Sequence, residues 1–250
     1  MAWRTLFGVF LVCIALGTWK QDDFKHITNI HPLVEREPTQ HSVEDADPIV
    51  FSRDGFTYQL EPVATYDLSA LVVHRLLYDR WFSLSRTDKL FTTDLCVVWG
   101  DNVTSGAYRE QSFHVKQDFR FCIYRSNGTV RVQGDSFANT HILTTDPDVE
   151  DVIRTIRPGD QVRLQGLLVH VHGTRTDDAY TDYEPNEALW RTSTTRTDTG
   201  AGACEVLYVK SVEILREGNP LYRLLYTIGL SGLLGLVLLS FVRAIVRPLV

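Results

Sequence analysis

From Leu224 to Val242 the chain reads LLYTIGLSGLLGLVLLSFV, an uncharged run set between Arg223 and Arg243. As a helix rising ~1.5 Å per residue it reaches ~28 Å, close to the ~30 Å hydrocarbon core of a bilayer. A helix of a soluble domain keeps a polar face toward water, and this run has none, so it is expected to cross a membrane. Tyr222 and Tyr226 stand near one boundary, and Arg243 and Arg247 near the other, where interfacial anchors belong. Ser231 and Gly235, with Gly229 and Gly232 on a neighbouring face, are small enough to admit a second helix at close range.

A shorter apolar run, TLFGVFLVCIALGTW, spans Thr5–Trp19 behind Arg4. Ala15-Leu16-Gly17 would serve as a small-residue cleavage site, which makes this a signal peptide; Trp3 and Trp19 bracket it as an uncleaved anchor, the preferred expectation. Either way residues 20 to 220 lie on one side of the membrane, and a signal-like start places that side outside the cytoplasm. The basic residues flanking the two runs support this orientation only weakly. A formal charge of −6 argues against nucleic-acid binding, which needs a surplus of Lys and Arg on one face.

Between the two runs the texture is that of a single β-rich domain. Residues 20–47 mix charge and proline without periodicity and read as an extended linker. From 48 to 219 short strands recur. FTYQL (56–60) alternates, and Tyr66, Leu68, Ala70 and Val72 mark the face of a second strand, or of the same strand bent at Pro62. LCVVW (95–99) is a short apolar strand. FRFCIYR and TVRVQ flank Ser126-Asn127-Gly128, the turn chemistry of a β-hairpin. One soluble helix is expected, capped by Asp146 with Pro147 in its first turn and Val149, Val152, Ile153 and Ile156 as its apolar face. QVRLQGLLVHVH (161–172), with a bulge at Gly166, and EVLYVKSVEIL (205–215) complete the strands. The long stretch 173–201 is a loop in which ALWRTST can pair as a further strand. The fold class expected is mainly β (α+β), a small β-barrel or sandwich, with an OB-like barrel as one candidate. One inserted helix and a membrane helix at each end (1–19 and 220–247) complete it.

DLCVVWGDN (94–102), SFANTHILTTD (136–146) with RPGDQVRLQGLLV (157–169), and RTDTGAGACEV (196–206) together resemble a group of bacterial membrane-anchored proteins. The likeness covers most of residues 56 to 215. It implies a hydrophobic N-terminus, a linker and a β-rich domain, and it implies no activity.

The four cysteines are Cys13, Cys96, Cys122 and Cys204, with no zinc-type spacing. The three outside the N-terminal run allow one disulfide with one free thiol, or three thiols. Cys204 with His141 as base and Asp198 as orienting acid forms a candidate nucleophilic set, with Glu205 a second acid nearby. Cys204 also opens an apolar strand, where cysteine commonly serves as a small core residue. His170 and His172 lie two apart on a strand and so face the same way. They would need a third ligand, such as His141 or Asp135, to hold a metal. Ser136, Asn139 and His141 read as turn residues, and Asp94 and Asp101 as cap and turn residues around a core or cleft Trp99. Asn139, His141, Trp99, Thr199 and Glu205 are the candidate binding residues.

These features make the leading expectation a membrane-tethered extracytoplasmic domain of a bacterial inner membrane. It would act by binding an envelope protein or another copy of itself, without a cofactor and without catalysis. A Cys/His-dependent hydrolase or transferase, or a metal-binding envelope domain, is the alternative.

Overall fold

The computed structural model describes residues 2–78, 89–118, 120–176, 186–198 and 203–246. They divide into two compact units, one from the described parts of 1–23 and 217–250, the other from Phe24–Arg216.

The first unit is a pair of helices, α1 (Ala2–Lys20) and α4 (Pro220–Val246). They run antiparallel. At one end Asn219 Nδ2 donates to the carbonyls of Gln21 and Asp23, and at the other the Arg243 guanidinium lies 4.8 Å from the Trp3 ring centre. The small-residue face expected on α4 is used by α1. A Cβ on Gly229 would stand 2.7 Å from Ile14 Cγ1, and one on Gly232 would collide with the Phe10 ring. Away from this seam the surface is apolar, with Val12, Leu234, Leu238 and Phe241 all more than half exposed. Both helices are long and apolar enough to cross a membrane, by length and composition.

The second unit is mainly β. Its strands are β1 (Thr39–Ser42), β2 (Ile49–Arg53), β3 (Phe56–Leu77), β4 (Thr93–Val98), β5 (His114–Asp118) and β6 (Phe121–Arg125). β7 (Phe137–Leu143), β8 (Gln161–Arg175), β9 (Glu187–Trp190) and β10 (Glu205–Arg216) follow, with the helices α2 (Gly100–Thr104) and α3 (Pro147–Thr155) between strands. Eight strands make one mixed sheet in the order β1-β3-β4-β7-β10-β8-β9, with β2 also on β3. β3 pairs β8 as well, so hydrogen bonding runs β3–β4–β7–β10–β8 and returns to β3. Among the described residues only β7 and β10 pair in parallel.

The segment around Pro62, expected as one bent strand or two, is one strand of 22 residues. Pro62 faces Val169 and Ala64 faces Leu168, so Val63 is an extra residue that bends the strand and reverses its alternation. Tyr66, Leu68, Ala70 and Val72 therefore join Leu95, Val97, Leu164 and Leu207 in one core, closed by Ile153 and Ile156. Before the bulge, Phe56, Tyr58 and Leu60 serve a second core with Phe91, Val169 and Val206. Each large side chain so buried contributes ~1.5–3 kcal/mol over leaving it in water.

α3 begins as its sequence requires. Asp146 Oδ1 accepts from the Asp148 and Val149 amides, and Pro147 occupies the first turn, where no amide is needed. Val152, expected on the apolar face, is turned outward instead. The bulge expected at Gly166 lies in the partner strand: Val209 faces Gly166 and Ser211 faces Gln165, leaving Lys210 extra. A Cβ on Gly166 would collide with the Tyr208 carbonyl, which is why the position is glycine.

Two expectations are corrected. The segment 20–47, expected as an extended linker, is not free: Val34 is fully buried, the His31 amide donates to Gln161 Oε1, and β1 pairs β3. Nor does the hairpin turn at Asn127-Gly128. β6 pairs the preceding β5, Asp118 facing Phe121, and 126–133 form no strand. The Cys96–Cys122 disulfide ties β6 to β4, and Tyr124 packs its ring 4.8 Å from Phe137, which holds β6 in that pairing.

Candidate thiol site

On β4 and β7, Asp94 stands directly opposite His141, and Cys96 opposite Asn139. Residues two apart on a strand share a face, so these four side chains form one patch. β10 enters beside β7 with Val206 level with His141. Cys204, two residues earlier, therefore points to the same face as His141 and Asn139.

Asp94 is fully buried and His141 nearly so. Their Oδ1 and Nδ1 atoms are 2.7 Å apart. Asp94 Oδ2 accepts from Tyr78 Oη at 2.7 Å and from Gln117 Nε2 at 3.3 Å, so the buried carboxylate is saturated with donors. Burial and the neighbouring Asp94 push the Tyr78 phenol up, which keeps it a donor.

With Nδ1 engaged by Asp94, Nε2 is the nitrogen the imidazole can offer, and Cys204 lies near enough to act on its charge. Burial pulls the imidazolium down. The bonds and charges of Asp94 and Cys204 outweigh it, and the His141 pKa is pushed up to about 9. Asn139 Nδ2 donates to Cys204 Sγ at 3.2 Å and to the Arg120 carbonyl at 2.6 Å, an arrangement that fixes the amide beside the sulfur. Behind the imidazole stands an aromatic wall. Phe91 lies 5.4 Å from the His141 ring, Trp190 meets Phe91 edge-on at 5.2 Å, and the Arg120 guanidinium sits over both. Burial there pulls Arg120 below the usual arginine range.

Cys204 is half-buried and lines a groove of about 770 Å³. Asn139 lies on its floor, and Phe121, Ile123 and Phe137 form an apolar wall. A nucleophile, a base in contact with it and a buried acid orienting the base are the three parts of a thiol relay.

Of the residues expected to act together, Cys204 and His141 share one face of the sheet, and Cys204 acts on the His141 charge. Asp198 does not supply the acid; it lines the groove, and its carboxylate accepts from Ser193 Oγ at 2.7 Å. Asp94, expected to be a cap residue, holds that place. Asn139 and His141 are strand residues of β7 rather than turn residues, and only Ser136 ends a short 3₁₀ turn before it. Glu205 faces the other side of β10 from Cys204, fully buried, with Thr140 Oγ1 donating to it at 3.3 Å; burial pushes its carboxyl up to about 7. Trp99 is also in the core, where its Nε1 donates to Glu37 at 3.0 Å. Thr199 lies outside the described residues.

His170 and His172 share a face as expected. His170 Nδ1 accepts from the Thr192 amide at 3.3 Å, His172 is exposed, and no cluster of three potential metal ligands occurs among the described residues. The signal for Asp94 was the paired spacing of Asp94 with Cys96 and of Asn139 with His141, which only the strand register converts into contact.

No protein-family model matches the chain, and no curated protein or solved structure matches it either.

Proposed function

We propose that the domain of residues 24–216 is a thiol-dependent acyl hydrolase or acyltransferase held at a membrane surface by α1 and α4. The observation that carries this is the relay Asp94–His141–Cys204, with Asn139 donating to the sulfur. In the reaction Cys204 Sγ attacks an acyl carbonyl and an S–C bond forms. The thiol proton passes to Nε2 of neutral His141, the form that predominates above about pH 9, which returns it to the departing alcohol, thiol or amine as the C–X bond breaks. Water or a second nucleophile then releases the acyl group with His141 again as base. Asp94 holds the imidazole in the required tautomer and balances the imidazolium charge. Asn139 Nδ2, which donates to Sγ in the resting site, would turn that hydrogen to the carbonyl oxygen as it gains charge.

The cyclic strand order, the parallel β7–β10 pair and α3 set between β7 and β8 support the finer assignment of an OB-like barrel. The Cys96–Cys122 disulfide supports an extracytoplasmic, periplasm-facing domain, because such bonds persist in oxidising compartments.

The test uses the full chain in detergent micelles with a p-nitrophenyl acetate to decanoate series, wild type against Cys204→Ala and His141→Ala. Loss of 100-fold or more of the turnover in both variants is expected. Turnover by Cys204→Ala equal to wild type would overturn the proposal. If pull-down from solubilised membranes then recovered a stable companion, the envelope-interaction function expected from the anchored architecture would replace it.

A further inference from the structure

The groove beside Cys204 carries the substrate class. We infer that it binds the apolar chain of an acyl ester or thioester and delivers its carbonyl to the sulfur; this rests on the thiol function proposed above.

Three observations converge. First, Cys204 itself lines the groove, with Asn139, Ala138, the apolar side chains of β6 and Phe137, and four charged side chains complete the lining. Second, Phe121 and Ile123 are 41% and 38% exposed on a five-residue strand, where each forgoes part of the ~1.5–3 kcal/mol that burial would contribute. Neighbouring exposed apolar side chains that frame a reactive group mark a surface kept open for a ligand. Third, a volume of about 770 Å³ falls within the ~300–1,000 Å³ usual for small-molecule sites, enough for a medium-length chain.

The wall is also held rigidly. The Cys96–Cys122 disulfide fixes β6 to β4, and the tilted ring contact of Tyr124 with Phe137 fixes it to β7, the strand that carries Asn139 and His141. A chain lying along β6 is thus registered against the relay. Substrates with apolar acyl chains concentrate at membranes, where the two apolar helices would hold the domain.

The experiment measures kcat/KM of the full chain in micelles for the acetyl, butyryl, hexanoyl, octanoyl and decanoyl esters. Direct binding of a fluorescent decanoyl amide to the Cys204→Ala chain is measured beside it. Each methylene taken from water into the groove is expected to raise kcat/KM about 3- to 4-fold until the groove is filled. Ile123→Glu, a change at an exposed position, should reduce the whole series to less than a 2-fold span and weaken amide binding at least 10-fold. A flat profile in the wild type, with turnover still abolished by Cys204→Ala, would overturn the acyl-chain inference and leave the thiol function standing. Binding of the amide that Ile123→Glu weakens, in a chain whose turnover ignores Cys204, would instead uphold the groove and remove the thiol chemistry.

Discussion

Asp94→Asn removes the charge from the relay while keeping its shape. In the wild type the His141 pKa is about 9 against an ordinary 6.5, and the gap of about 2.5 units corresponds to about 3 kcal/mol favouring the imidazolium. Asp94 supplies its hydrogen bond and much of its charge, and burial opposes both. With an amide in place of the carboxylate, burial remains and the largest opposing partner is gone. The midpoint should fall by two units or more, to below 7. It is read from the imidazole ¹⁵N shifts of histidine-labelled protein titrated from pH 5 to 10. Stability responds in the same sense. A group whose pKa is raised by folding stabilises the fold fully below its unfolded pKa, here about 6.5, and that contribution is lost as pH rises through about 9. Urea denaturation of the wild type should therefore lose up to about 3 kcal/mol between pH 6 and 9.5 from this group, a slope that Asp94→Asn abolishes. The variant will also be less stable throughout, since an amide accepts at only one of the two positions that serve His141 Nδ1 on one side and Tyr78 and Gln117 on the other, at a cost of ~1–3 kcal/mol. An unmoved His141 midpoint in the variant would refute the argument that Asp94 sets the base.

Glu205→Gln should leave stability at pH 4.5 nearly unchanged and raise it at pH 8 by up to about 3 kcal/mol. The buried carboxyl, raised from 4.5 to about 7, stabilises only while protonated, and Gln keeps the contact with Thr140. Equal denaturation midpoints for the two proteins at pH 8 would count against this. The double change Cys96→Ala, Cys122→Ala opens a cross-link of sequence separation 26 and should cost about 3.5 kcal/mol in the loop-entropy account, measured by denaturant unfolding. The same variant should lose its preference for long acyl chains before it loses acetyl-ester turnover, because β6 is then less firmly held.

The terminal helices, most strands and the capped helix were legible because each announces itself over a few adjacent residues. The run from Leu224 to Val242 needs no partner to declare its nature, and Asp146-Pro147 sets its own helix start. The hairpin misled for the same reason. Asn127-Gly128 satisfies the local chemistry of a turn, yet β6 takes its partner from the preceding strand, because Cys122 and Tyr124 are committed to β4 and β7. Residues 24–47 look unstructured along the chain, since the residues that bury Val34 and receive the His31 amide come from elsewhere. Local signals also carried no information on which strands would neighbour one another.

The thiol site divides along that same line. Residue types disclose what a position is able to do, so Cys204 and His141 could be paired as nucleophile and base from their chemistry. The choice of acid went to Asp198, six residues from Cys204 and beside it in the chain. The carboxylate in contact is 47 residues from His141 and reaches it only across the β4–β7 register. A shift of one residue in that register would turn Asp94 away from His141 and break the relay without altering any composition or motif. The proposed function depends on an alignment held by Leu95 and Val97 on the opposite face of β4, where core packing sets the register. Substitutions that loosen those core positions should therefore damage the relay before they unfold the domain, and the His141 titration midpoint is the quantity that would report it.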